Sequence, residues 1–128
     1  MKPVYSEWLL EFVVDAAWDW VTSSTVAGIV NPPSVREDPA MLRAMWIGVV
    51  SEALARGLVE PGEIDSEGFH AWTVSLPDTL MRIITALDRV GIGEIGLGDV
   101  VWFTATAKGV EFAKTAIESG WVGPQDVI

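Results

Sequence analysis

Val100-Val101-Trp102-Phe103-Thr104-Ala105, followed at once by Thr106-Ala107-Lys108-Gly109, decides the fold class. The first six residues are rich in β-formers and alternate sides, so they read as a strand. Thr106 has a hydroxyl able to cap a helix, and the spacing predicts one over 107–119. Val110, Ala113, Ala116 and Ile117 are its inward face, and Gly120 is its stop. A strand that runs directly into a helix calls for an α+β domain.

Working outward, helical spacing dominates the chain. Trp8, Leu9, Phe12, Val13, Ala16, Trp20 and Val21 recur at that spacing and predict one helix from Tyr5 to about Ala27, closed by Gly28 and Asn31-Pro32-Pro33. The β-branched residues Val21, Thr22, Thr25 and Val26 weaken its last turns. Asp38 caps a second helix with Pro39 at its first position, where a missing N–H costs nothing. Leu42, Met45, Trp46, Val49, Val50 and Ala53 form its apolar face, Glu52 and Arg56 pair across one turn, and Gly57 ends it. Leu58 to Gly62 reads as a short extended piece and a turn, and Phe69 to Val74 as a short strand. Ser75 and Asp78 have capping spacing for a third helix, with Leu80, Ile83, Ile84, Leu87 and Val90 inward and an Asp78–Arg82 pair outside. Gly91 to Gly98 is a glycine-rich connection. The expectation is a single domain over 1–128. It is α+β and helix-rich, with about four helices around a small sheet of one to three short strands.

Charge restricts what such a domain does. The 128 residues include 18 acidic and 8 basic ones, for a net charge of −10. That surface repels phosphate backbones and anionic lipid, and it speeds encounter with basic proteins. Neither nucleic acid nor membrane is an expected partner. There is no cysteine, which removes thiolate chemistry and disulfides and fits a reducing compartment. Acids at Glu7, Glu11, Asp15 and Asp19 interrupt the N-terminal apolar pattern, so no leader segment is read there, and a cytoplasmic location is expected. Nothing in the sequence fixes an oligomeric state.

Chemical motifs are weak. Gly91-Ile92-Gly93-Glu94-Ile95-Gly96 fits a dinucleotide pattern, but a helix precedes it and a strand follows, the reverse of what phosphate binding needs. Glu60, Glu63, Asp65 and Glu67 crowd one loop without the residue order of a calcium site. His70 is the only histidine, and no serine lies in a nucleophile context. No catalytic residue, metal site or cofactor is expected, and a non-enzymatic role follows.

Binding residues are easier to name. Glu7, Glu11, Asp15 and Asp19 lie one helical turn apart, so a continuous helix lines them along about 18 Å of one face. Like charges at that spacing repel, which points to a use for them. The loop acids Glu60, Glu63, Asp65 and Glu67 offer a second surface for a basic partner. Seven tryptophans is a high share for this length. Trp8, Trp20, Trp46 and Trp102 fall on apolar faces and read as core. Trp18, Trp72 and Trp121 do not, and an exposed tryptophan is a frequent interface anchor. The expected partner-binding set is Glu7, Glu11, Asp15, Asp19, Trp18, Glu60, Glu63, Asp65, Glu67 and Trp72.

Two segments resemble winged-helix regulators. Ala55-Arg56-Gly57-Leu58-Val59 is similar to the end of a recognition helix entering the wing. Trp102 to Gly109 is similar to the return from the wing, where a Thr-x-Lys-Gly turn opens the next helix. The resemblance implies a winged-helix-related architecture and a transcriptional regulator. The order differs in that the helix Pro77–Val90 lies between the two segments, and the helix in the recognition position offers only Arg43 and Arg56. In size, acidity, tryptophan richness and lack of cysteine or catalytic motif, the whole chain resembles the small acidic immunity proteins of bacterial toxin systems. That resemblance implies an inhibitor that neutralises a basic toxin domain. It is the favoured expectation, ahead of the regulator and of a small enzyme with no recognisable motif.

Overall fold

The computed structural model describes residues 4–30, 38–91 and 100–121. The expected Asn31-Pro32-Pro33 stop and the Ile92–Gly98 part of the glycine-rich connection lie outside them.

Helix α1 (Val4–Trp18) stops well before Ala27. The Asp19 carboxylate accepts the Trp20 N–H at 2.7 Å, which turns the chain out of the helix. Val21–Thr22 then forms strand β1, paired antiparallel with strand β4 (Trp102–Ala105) in the register Val21↔Phe103 and Thr22↔Trp102. The Thr22 hydroxyl accepts the Thr25 N–H at 3.2 Å and caps a new helix, α2 (Ser23–Val30). The single helix expected over 5–27 is therefore two helices with a strand between them. The β-branched pair that was to weaken the last turns finds ladder bonds instead, and these outweigh helical continuity.

Helix α3 (Pro39–Ala55) begins as its sequence predicts, with the Asp38 side chain accepting the Met41 N–H at 2.8 Å. It ends at Gly57, whose φ of 69° lets the Gly57 and Leu58 N–H groups bond back to Leu54 and Ala53. Strand β2 (Val59–Asp65) and strand β3 (Gly68–Ala71) follow as a hairpin. This corrects the expected turn at 58–62 and the expected acidic loop: Glu60, Glu63 and Asp65 are strand residues. Pro61 and Gly62 are tolerated in the strand for particular reasons. The Pro61 carbonyl accepts the Trp72 N–H at 2.9 Å, and Gly62 lies under the His70 carbonyl and the tip of the Phe69 ring, where a Cβ has no room. The sheet is antiparallel in the order β1-β4-β2-β3.

Helix α4 (Leu76–Val90) carries the expected Ser75 cap, and Gly91 follows it at φ 89°. Its Arg82 bonds Glu63 of β2 in place of the expected Asp78. Helix α5 (Ala107–Glu118) is capped by Thr106, which accepts the Gly109 N–H at 3.0 Å. Its phase differs from expectation. Val110 and Ile117 are exposed, while Gly109 and Ala113 are buried and Phe112 packs on the core. Gly109 is the cause: the helix backbone rests against the Leu58 carbonyl, with no space for a Cβ.

The core lies between the helices and the inner sheet face. Phe12 meets Phe103 edge-to-face at 5.1 Å, and around them pack Val13, Leu58, Ile83 and Leu87. Of the four tryptophans expected in the core, Trp46 is fully buried, Trp8 and Trp102 are half-buried, and Trp20 is 44% exposed.

Gly109→Ala tests this packing. Glycine to alanine within a helix ordinarily stabilises by up to about 1 kcal/mol. Here the new methyl meets a backbone carbonyl that cannot swing aside, so a loss of about 1–3 kcal/mol is expected by urea denaturation. A stabilised variant would show that α5 does not rest on Leu58.

Candidate functional site, an acidic face bearing exposed tryptophan

Alternation along the strands separates the sheet's two faces. Val21 and Phe103 point into the core, so Trp102 and its partner Gly62 belong to the outer face. Phe69 shares that face, because its ring tip lies over Gly62. Trp20 stacks on Phe69, with ring centroids 6.5 Å apart and planes at 27°. The bare Gly62 backbone is what lets Phe69 lie flat enough to be reached. This contact joins the C-terminal end of α1 to the β2–β3 hairpin, two regions far apart in sequence.

Trp18 stands beside the junction. It is 79% exposed and leads directly into Asp19 and Trp20. The break after α1 thus presents Trp18, Asp19 and Trp20 together, and Glu60, two residues from Gly62, lies on the same sheet face, while Glu63 and Asp65 alternate to the other.

The expected binding residues separate into groups. Glu7, Asp19, Glu60 and Glu67 are exposed, and among the described residues none is in an ion pair. Glu11 and Asp15 are half-buried, so the four-residue stripe is open only at its ends. Burial pushes the Asp15 carboxyl above its ordinary value. Asp65 is held below its ordinary value, first by the Glu67 N–H and then by His70, whose Nε2 is 2.9 Å from its carboxylate. Glu63 is engaged by Arg82 at 3.4 Å. Trp72 does not stand out as an exposed anchor: it is half-buried under the Arg82 guanidinium, 3.9 Å from the ring centroid. Trp121 is half-buried at the end of α5.

Trp20 and Phe69 were not legible as site residues. An unbroken helix puts Trp20 in phase with Trp8, Phe12 and Ala16, and only the break at Asp19 turns it outward. The one sequence signal for Phe69 is Gly62, a glycine inside a strand, which marks a close approach.

Among the described residues, no group of three or more His, Asp or Glu side chains is arranged to hold a metal ion, and no helix is long and apolar enough to cross a membrane. Comparison with protein-family models, with curated proteins and with solved structures gave no match.

Asp15 supplies a pH test. A carboxyl whose folded pKa is raised favours folding fully below its unfolded value near 3.8, and that contribution is lost as pH rises through the folded value. Asp15→Asn should therefore melt higher than the natural chain at neutral pH, with the difference closing under acid conditions. Removing repulsion from Glu11 and Asp19 acts in the same direction. A lower melting temperature at neutral pH would mean that the Asp15 carboxylate is paired and needed.

Proposed function

We propose that this chain is a binding protein that inhibits a basic protein partner, of the kind that immunity proteins exert on toxin domains. The observation that carries this is the exposure of Trp18 beside Asp19 and the Trp20–Phe69 stack. A large apolar ring held in water is costly unless a partner covers it. Burying a tryptophan removes about 150–250 Å² from solvent, enough to centre an interface. The surrounding carboxylates select for lysine and arginine on the partner and speed its approach. The partner is therefore a protein with a cationic surface and an apolar recess for Trp18.

A second reading concerns the scaffold's relatives. Strands in the order β1-β4-β2, with α2 and α3 between β1 and β2, support a winged-helix relationship, with β3 and α4 standing in the wing. They do not favour a DNA reader. Arg43 of α3 is held by Asp88 of α4 through two bonds of 2.7 and 3.0 Å, and Arg56 by Glu52 at 3.0 Å. Arg43 within α3 and Arg56 at its C-terminal cap are thus both engaged by carboxylates of this chain. Duplex DNA should give no mobility shift at physiological salt, whereas micromolar binding would favour the regulator.

The binding proposal is tested with the immobilised chain and host lysate at physiological salt. The expected result is retention of a basic protein that arrests growth when expressed alone and is neutralised by co-expression of this chain. Retention undiminished by Trp18→Ala and Asp19→Lys together would overturn the assignment of the face.

A further inference from the structure

We propose that the cleft between α4 and the sheet, lined by Trp72, Arg82, Arg89 and Trp102, is a binding site for a small oxyanion, a carboxylate or a phosphate group. The cleft holds about 250 Å³, room for a small molecule and too little for a polymer chain. It lies apart from Trp18 and does not depend on the partner-binding reading.

Three observations converge on this ligand chemistry. First, the chain has a net charge of −10, yet two of its 8 basic residues line this one cleft. Arg82 and Arg89 are seven residues apart on α4, so two turns return them to one side of the helix. Second, the two arginines differ in their engagement. Arg82 lies over the Trp72 ring, 3.9 Å from its centroid, and reaches Glu63 at 3.4 Å, long for a charged hydrogen bond. Arg89 is exposed and makes no ion pair among the described residues. Third, the Trp72 Nε1–H is sealed from solvent and has no acceptor among the described residues. A buried donor without an acceptor costs the free energy of a lost hydrogen bond, and native proteins leave few of them.

Together these groups offer donors and positive charge, and among the described residues Glu63 is the one carboxylate in the lining. A ligand that completes them brings acceptor oxygens and negative charge. A carboxylate or phosphate does so, with its oxygens toward the guanidinium groups, whose fork geometry suits both anions. The indole N–H is closed off in the free chain, so an oxygen reaches it only when Arg82 swings away from Glu63 and off Trp72 to meet the ligand.

The test follows the seven tryptophan indole N–H signals of the ¹⁵N-labelled chain by NMR. Trp72→Phe identifies the signal of Trp72. Inorganic phosphate and malonate are the two probes, each compared with sodium chloride at equal ionic strength. The expected result is a saturable downfield movement of the Trp72 signal with at least one probe. Movement with phosphate alone assigns a phosphoryl ligand, and movement with malonate assigns a carboxylate. In Arg89→Gln, an exposed change that leaves the fold intact, the affinity should fall about tenfold. No saturable movement with either probe, equal movement with chloride, or an undiminished response in Arg89→Gln would each overturn the proposal.

Discussion

Trp46→Ala should destabilise the fold by about 3–5 kcal/mol, the range for deleting a large buried aromatic side chain. Trp46 has no exposed surface and stands where α2, α3 and the sheet meet. Its Nε1 donates to the Ser23 carbonyl at 3.1 Å, and Ser23 Oγ accepts the Val100 N–H at 3.3 Å. Alanine would empty the space and remove the side-chain bond that ties α3 to the Ser23 carbonyl at the start of α2. A domain of this size is stable by only about 5–15 kcal/mol, so much of its margin would go. Trp46→Phe separates the two contributions: it keeps most of the ring and loses the N–H, and should cost about 1–3 kcal/mol. Urea denaturation with an unchanged m-value reads both. A loss below about 1 kcal/mol for Trp46→Ala would show that the residue does not fill the core.

The triple change Trp18→Ala, Asp19→Lys and Glu60→Lys should weaken partner binding by about 100-fold or more, equivalent to at least about 2.7 kcal/mol. Removing one interface tryptophan alone often costs about 2 kcal/mol or more, and reversing two carboxylates turns attraction into repulsion. All three side chains are exposed, and although Asp19→Lys gives up the bond from the Trp20 N–H, the pairing of Val21 with Phe103 and Thr22 with Trp102 still holds the break after α1, so the fold should survive. Circular dichroism confirms that, and calorimetry with the basic partner measures the affinity. The control is Glu111→Lys, also exposed but on α5 and away from the face. Equal weakening by the control would mean that net charge, and not this face, governs binding.

What the sequence disclosed depended on how local the cause was. The Asp38, Ser75 and Thr106 caps and the Gly57, Gly91 and Gly120 stops act within a few residues, and α3, α4 and α5 lie where these signals put them. The break between α1 and α2 depends on Val21 pairing with Phe103, a partner most of the chain away. Helical periodicity passes through Trp18 to Val21 without interruption, so no local pattern announces the strand. Strand β2 was concealed by Pro61-Gly62, normally a turn signal, which pairing with β3 and β4 overrides. The rotation of α5 arises from one contact, Gly109 on Leu58. The candidate site divides the same way. Trp18 was legible because it fell outside the apolar phase, and the hairpin acids because they cluster in sequence. Their connection through Trp20 and Phe69 required the sheet.

Amide hydrogen exchange of the free chain and of its complex with the basic partner tests the binding face most directly. Complex formation should slow exchange at Trp18, Asp19 and Trp20 and along the hairpin from Ser66 to Ala71, and leave α5 unchanged. Protection confined to α5, or to any surface that excludes both Trp18 and the hairpin, would contradict it.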